Sequence, residues 1–137
     1  MTPAILQRQD LVYPDLSYEI VGVLLNVYGK LGYGLREKSY EKAVALAFKQ
    51  KGLKFAEQLY APIVFEGEVI EKNYLDFLVE DKVVVELKRG DKFVKNHIDQ
   101  VYSYLTNNKL ELGILVYFAP QRLHYKRILN VQAKKGS

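Results

Sequence analysis

The feature that most constrains this chain is an interrupted run of strand-forming residues near its middle. Residues 73–88 read Asn-Tyr-Leu-Asp-Phe-Leu-Val-Glu-Asp-Lys-Val-Val-Val-Glu-Leu-Lys, so that two apolar stretches surround the polar segment 80–82. Short runs rich in Val, Leu and Phe on either side of such a segment predict a β-hairpin. Glu86 and Lys88 interrupt a run of the kind that fills a core, where charged residues are seldom found without a partner or a role.

The faces on which these charges lie depend on the turn of the hairpin. Successive strand residues alternate between faces, so Glu86 and Lys88 share one side of the second strand. A two-residue turn sets Asp76 opposite Val85 and sends Glu86 to the other face. A three-residue connection instead sets Asp76 directly opposite Glu86. The residues of the turn leave both registers open.

In the second register, two carboxylates face each other and repel, and a divalent cation removes that penalty. Mg²⁺ prefers hard oxygen ligands, so Asp76, Glu86 and the backbone carbonyl of Leu87 would form a partial coordination shell. Lys88 would orient a water molecule or offset charge on a phosphoryl group. The alternative is a solvated hairpin face with ordinary charges, which the apolar surroundings of Glu86 and Lys88 disfavour.

The rest of the chain predicts a mixed α/β (α+β) protein with helices before and after these strands. The predicted elements are helices over 15–31 and 36–51, about three antiparallel strands over 53–88 broken at Pro62, Gly67 and 80–82, a helix over 92–107, and strands over 112–118 and 123–129. The first helix is expected to end in the glycine-rich segment 29–34. No internal repeat is visible.

Length and composition indicate one domain. The 137 residues, 49% of them hydrophobic, suffice for a single buried core. Residues 1–14 contain Pro3 and Pro14 and show no sustained period, so we expect an N-terminal arm. The domain is expected over 15–130, followed by a flexible tail over 131–137.

Cysteine content and net charge limit the cellular compartment and the binding partners that we expect. There are no cysteines, which excludes disulfides and cysteine-based zinc sites and favours a reducing, cytoplasmic setting. No apolar run approaches the roughly 18 residues of a membrane-spanning helix, so we expect no membrane association. The net charge of +4 favours a polyanionic partner, but only weakly, because many basic proteins bind no nucleic acid.

Two predicted helices carry polar residues on their apolar stripes. Glu37 falls on the stripe of Tyr40 and Val44 and is predicted to face the sheet, although an acid at a helix N-terminus is also explained by the helix dipole. In the third helix the polar members of the stripe are His97, Gln100 and Tyr104. A lone histidine is more often a hydrogen-bonded core residue than a ligand. Asn96 and His97 also invite a metal or acid–base interpretation, but one histidine without a spaced partner is a poor zinc signal.

The ordered set of these residues resembles a known family. Gly34-Leu-Arg-Glu37-Lys-Ser-Tyr40 reads as Gly-x-x-Glu-x-x-Tyr, and it is followed by Asp76, by Glu86-x-Lys88 and by Gln100-x-x-x-Tyr104. Over about residues 16–130 the chain is similar to the GxxExxY family of the PD-(D/E)XK nuclease superfamily. Each motif alone is common, and the specificity of the resemblance lies in their order.

This resemblance implies a restriction-endonuclease-like αβββαβ core, a mixed sheet flanked by helices, and catalytic Mg²⁺ or Mn²⁺ bound by Asp76 and Glu86. It also implies that Glu37 assists at the metal through water, and that Tyr40, Gln100 and Tyr104 support the site or contact the substrate. Lys88 completes the catalytic set. The expected partner is nucleic acid, with DNA favoured over RNA.

Three functions are therefore weighed. The first is a metal-dependent nuclease, and the second is a non-catalytic nucleic-acid-binding or protein-interaction module on the same core. An inward carboxylate cluster has no use on a pure binding surface, which favours the first. The third is a small-molecule enzyme, which a narrow enclosed pocket would favour.

Overall fold

The computed structural model describes residues 12–132. Its helices are α1 (Pro14–Leu31), α2 (Glu37–Gln50) and α3 (Lys95–Asn107), and its strands are β1 (Phe55–Tyr60), β2 (Ile63–Phe65), β3 (Glu68–Glu71), β4 (Tyr74–Val79), β5 (Val83–Arg89), β6 (Leu112–Phe118) and β7 (Leu123–Leu129). Helix α1 begins one residue earlier than predicted, because proline is well suited to the first helical position. The predicted arm and tail fall mainly on 1–11 and 133–137, which lie outside the described residues.

Five strands form one mixed sheet in the order β1-β4-β5-β6-β7. Neighbouring strands are antiparallel except β5 and β6, which run parallel. A parallel pair needs a crossover connection, and α3 supplies it between these two strands. The predicted mixed sheet flanked by helices is confirmed.

The segment between β1 and β4 differs from the predicted meander. Strands β2 and β3 leave the main sheet and pair only with each other. Pro62 cannot donate to a ladder and separates β1 from β2. Glu66 and Gly67 form the tight turn between β2 and β3, with φ angles of 49° and 82°. The region 53–88 therefore forms five strands where about three were predicted, and three of them, β1, β4 and β5, join the main sheet.

Two apolar clusters hold the helices on the sheet. Helices α1 and α2 pack on one face, where the buried residues include Leu24, Phe48 and Phe77. Helix α3 covers the second cluster, which includes Val101 and Leu115. The amphipathic stripes of the three helices provide the apolar surface for this packing. Within residues 12–132, none of the helices has the length and apolar character needed to cross a membrane.

Candidate active site

The β4–β5 hairpin adopts the three-residue connection. Its register sets Phe77 opposite Val85, Leu78 opposite Val84 and Val79 opposite Val83. Glu80 and Asp81 both take left-handed backbone conformations, with φ of 53° and 58°. Of the two registers that the sequence left open, this is the one that brings Asp76 and Glu86 to the same level of the hairpin.

Strands β4 and β5 separate at Asp76 and Glu86. There, hydrogen bonds to the two carboxylates take the place of the backbone–backbone hydrogen bonds. The Asp76 N–H donates to Glu86 Oε1 at 2.9 Å, and the Leu87 N–H donates to Asp76 Oδ2 at 2.8 Å. Only 9% of Asp76 and 4% of Glu86 are exposed. Each acid thus binds the backbone of the opposite strand, which fixes both carboxylates in the cleft between β4 and β5.

Strands β4 and β1 are distorted next to Asp76. Leu75 belongs to the cluster under α3, whereas Phe77 belongs to the cluster under α1 and α2. Residues two apart on a regular strand point the same way, so β4 is kinked at Asp76. On β1, Gln58 lies between the partners of Leu75 and Phe77 and has a φ of 57°. Such kinks and strained residues occur often beside active sites, where they redirect side chains.

Lys88 provides the positive charge of the site. Its Nζ lies 3.3 Å from Glu86 Oε2, and its side chain is 22% exposed. Burial alone would lower the pKa of Lys88, but the charges of Glu86 and then Glu37 outweigh burial and raise that pKa. Lys88 therefore stays protonated beside the carboxylates.

A third carboxylate, Glu41 on α2, joins the pair and was missed by the sequence analysis. Its Oε1 accepts a hydrogen bond from Gln58 Nε2 at 3.3 Å. Burial raises the pKa of Glu41, and its carboxyl group lies close enough to Asp76 for the charge of Asp76 to raise that pKa further. Glu37, which was predicted to face the sheet, is instead exposed in the first turn of α2. It begins the helix, one turn before Glu41. Residues four apart share a helix face, so the spacing of Glu37 and Glu41 was a usable signal.

The negative charge of the acidic cluster favours the binding of either protons or a cation. Burial, and then the charge of Glu86, raise the pKa of Asp76. Burial also raises the pKa of Glu86, although Lys88 opposes the shift. Burial and the charge of Asp76 raise the pKa of Glu41 to about 7. Lys88 offsets one negative charge, so three buried or half-buried carboxylates cannot all stay ionised at neutral pH unless a further positive charge binds.

The donor chemistry of this cluster fits a hard divalent cation. Carboxylate oxygens and a backbone carbonyl such as that of Leu87 are the ligands that Mg²⁺ and Mn²⁺ prefer. In residues 12–132, no three His, Cys, Asp or Glu side chains are already arranged to hold a metal ion. Asp76 Oδ2 and Glu86 Oε1 accept backbone amides and Glu86 Oε2 lies beside Lys88 Nζ, so a cation would bind through Asp76 Oδ1 and the lone pairs that these contacts leave.

A histidine and a tyrosine lie beside Lys88. The β5–β6 register pairs Lys88 with Tyr117, whose hydroxyl accepts the Val94 N–H at 3.1 Å and binds His97 Nδ1. Tyr117 is buried, and His97 is the only acceptor for its hydroxyl hydrogen among the described residues. Burial, and then the charge of Lys88, lower the pKa of His97. With Nδ1 engaged by Tyr117, Nε2 is the ring nitrogen of His97 that remains for another partner.

Of the remaining predicted site residues, one lies in the core and two line a groove. Tyr40 is fully buried, stacks on Phe118 with ring centroids 4.1 Å apart and donates a hydrogen bond to the Gly32 carbonyl. It thus holds the loop that leads into α2. Gln100 and Tyr104 are half-buried and line a groove beside α3.

An Asp and a Glu-x-Lys that meet across an antiparallel pair, in a mixed sheet covered by helices, define a nuclease-like protein. The chain belongs to the PD-(D/E)XK nuclease superfamily, whose family model matches residues 14–128. Nucleases of this superfamily typically use divalent metal ions.

Comparison with solved structures gives weaker similarity. The crystal structure of SSO0001 is 16% identical, with a TM-score of 0.47, and the match covers 85% of this chain and 71% of that one. An alkaline exonuclease from Laribacter hongkongensis (LHK-Exo) is 14% identical, with a TM-score of 0.49 and coverage of 83% and 70%. No curated protein matches the chain.

Proposed function

We propose that this protein is a metal-dependent nuclease of the GxxExxY family that hydrolyses phosphodiester bonds of nucleic acid through a metal-activated water. One observation carries the proposal: the buried carboxylates of Asp76 and Glu86 are held against each other with Lys88 beside them. Burying like charges without a function would only destabilise the fold.

Each side chain has a distinct part in this proposal. Asp76 and Glu86, with the carbonyl of Leu87, would hold Mg²⁺ or Mn²⁺, and Glu41 would complete the set. A divalent ion bound there supplies charge that makes water nucleophilic near neutral pH. Lys88 would orient the attacking water or stabilise charge that develops on the phosphoryl group.

Other residues act at the rim of the site. Glu37 is exposed, so any part it takes at the metal would run through water. The Nε2–H of His97 is free to donate to a phosphate oxygen, because Tyr117 occupies Nδ1. Gln100 and Tyr104 would contact the substrate, whereas Tyr40 supports the loop before α2.

The net charge of +4 supports a nucleic-acid partner. We propose DNA before RNA and a cytoplasmic setting, both as predictions from the sequence. The open groove beside α3 favours a polymer over a small enclosed substrate.

The test uses labelled single- and double-stranded DNA and RNA with Mg²⁺ or Mn²⁺, in parallel cleavage and binding assays. Wild type is expected to cut at least one substrate class, and Asp76→Ala none. Lys88→Ala removes a charge that acts mainly on the transition state, so cleavage should fall by orders of magnitude while affinity weakens modestly. If wild type binds but cuts none of the four, and Lys88→Ala binds equally well, the protein is a binding module.

A further inference from the structure

An open groove of about 360 Å³ runs between α3 and the chain that links β1 to β2. One wall is formed by residues 60–64, including Tyr60, Pro62 and Val64. The other is formed by one side of α3, including Asn96, Gln100 and Tyr104. We call this feature the amide groove. It has the volume of a pocket for a small organic group.

The walls of the amide groove offer flat apolar surface and neutral hydrogen-bonding groups. Tyr60, Pro62 and Tyr104 present rings, and the amides along α3 carry both donors and acceptors. The only charged residue among those lining it is Asp99, whose carboxylate is paired with Lys95 at 2.7 Å. Phosphates bind to cations, so this lining suits uncharged planar groups instead.

Both walls lead to the carboxylate site. Tyr60 packs on Tyr74, with ring centroids 5.5 Å apart, and Tyr74 precedes Asp76 by two residues. Two strand residues span about 6.6 Å. On the other wall, Asn96 and Gln100 flank His97, which binds the hydroxyl of Tyr117, the β6 neighbour of Lys88. A polymer that reaches Asp76 and Lys88 would thus pass the near end of the groove.

Resting on the proposed function, we infer that the amide groove binds unpaired bases of single-stranded nucleic acid while the adjacent carboxylate site receives its phosphodiester. Stacking on tyrosine rings and hydrogen bonds from amides are the contacts by which unpaired bases are recognised. In a duplex the bases are paired and stacked, so they could enter the groove only after being flipped out.

The charge of the neighbouring hairpin also disfavours a duplex. Residues 61–72 carry three exposed glutamates, Glu66, Glu68 and Glu71, against one lysine. A duplex laid over the groove would bring the dense charge of two phosphate backbones towards these acids. A single strand can keep its one backbone on the side of Lys88 and turn its bases towards the groove.

The experiment measures binding apart from cleavage. Wild-type protein in chelator is titrated with four labelled oligonucleotides of one length: single-stranded DNA, the same strand made of abasic residues, its duplex, and single-stranded RNA of the same sequence. Base-bearing single strands should bind about ten-fold more tightly than the abasic strand, which keeps every phosphate. The DNA and RNA arms show which sugar is preferred.

Two matched tyrosine variants locate the effect. Tyr60→Ala should bring binding of the base-bearing strand close to that of the abasic strand. Tyr102→Ala is the control, because Tyr102 is an exposed tyrosine on α3 outside the groove. Both residues are well exposed, at 49% and 38%, so both variants should fold, and Tyr60→Ala should lower the melting temperature only slightly through the lost packing on Tyr74.

The outcomes separate the two proposals. Equal affinity for base-bearing and abasic strands, tighter binding of the duplex, or equal losses in Tyr60→Ala and Tyr102→Ala would overturn the inference even if wild type cuts nucleic acid. If wild type cuts nothing but shows the expected base dependence at Tyr60, the groove assignment stands and the nuclease proposal fails.

Discussion

Glu37 and Glu41 show how strongly one helical turn changes the environment of a side chain. Both are glutamates on α2, four residues apart. Glu41 accepts a hydrogen bond from Gln58 and lies close enough to Asp76 for the two charges to interact, whereas Glu37 is exposed and acts on Lys88, His97 and Glu41 through its charge. Because the two residues are chemically identical, we expect their distance from Asp76 to decide which glutamate contributes more to the proposed site.

We expect Glu41→Gln to lower the cleavage rate by about 10–100-fold, the usual effect of removing a group that orients a metal ligand. Glu37→Gln should change the rate by only a few-fold, because it removes a screened charge at the rim. Cleavage rates at saturating substrate compare the two isosteric variants directly. A larger loss in Glu37→Gln would mean that the exposed glutamate, and not Glu41, serves the site.

Asp76 gives the metal-free protein a stability that depends on pH. Its carboxyl has an ordinary pKa of 3.8 that is raised to about 8 in the fold. Between these values the folded state keeps a proton that the unfolded chain has released, so stability falls as pH rises through this window. In chelator, wild type should therefore lose more stability than Asp76→Asn between these pH values. Denaturant unfolding at several pH values measures this, and parallel curves for the two proteins would contradict it.

At the scale of elements, the contact of α3 with β6 depends on a glycine. A Cβ at Gly113 would lie 2.5 Å from Cγ1 of Val101 and 3.6 Å from Cδ1 of Leu105. Only a residue without a side chain lets the helix approach the strand this closely. Because α3 carries His97 and Gln100, this packing also sets the distance between them and the carboxylates.

Gly113→Ala should destabilise the protein by about 1–3 kcal/mol, the usual cost of overpacking a core. It should also lower cleavage, since α3 must shift away from β6. Gly22→Ala is the matched control: Gly22 lies inside α1 with nothing within 4 Å of an added Cβ, and the exchange should stabilise by up to about 1 kcal/mol. Thermal unfolding of both variants tests this. If Gly113→Ala melted at the same temperature as wild type, α3 would accommodate the methyl group without moving.

The whole molecule places its carboxylates at the centre of the sheet, between two helical layers. Strands β4 and β5 are flanked on both sides by other strands, and each face of the sheet is covered by helices. The site is therefore formed only when the chain is folded. A cation that binds there binds the native state and stabilises it by mass action.

Mg²⁺ or Mn²⁺ should raise the melting temperature of wild type, and at a concentration one hundred times its Kd the gain is about 2.7 kcal/mol. Asp76→Asn should lose most of that gain. Asp81→Asn is the control, because Asp81 lies in the same hairpin but its side chain is 70% exposed and away from the cluster. Equal metal-induced shifts in Asp76→Asn and Asp81→Asn would place the cation elsewhere.

The sequence by itself determined the helices, the mixed sheet and the strands at its centre, and it singled out Asp76, Glu86 and Lys88 as candidate site residues. Strands β6 and β7 were predicted over their observed ranges, because uninterrupted apolar or β-branched runs between turn residues admit few other structures. Asp76, Glu86 and Lys88 were identified because charges inside an apolar run are energetically costly. Both signals are local, so they can be read without knowing the fold.

The tertiary structure alone decided the register, the third carboxylate and the groove. The turn at 80–82 is compatible with two registers, and only the packed sheet selects the one in which Asp76 meets Glu86. The helical period puts Glu37 and Glu41 on one face of α2, but only the packing of α2 on the sheet sets Glu41, and not Glu37, beside Asp76. The separation of β2 and β3 from the sheet, which forms the wall facing α3, depends on contacts between residues distant in sequence. Such non-local contacts are set by the packing of the whole chain.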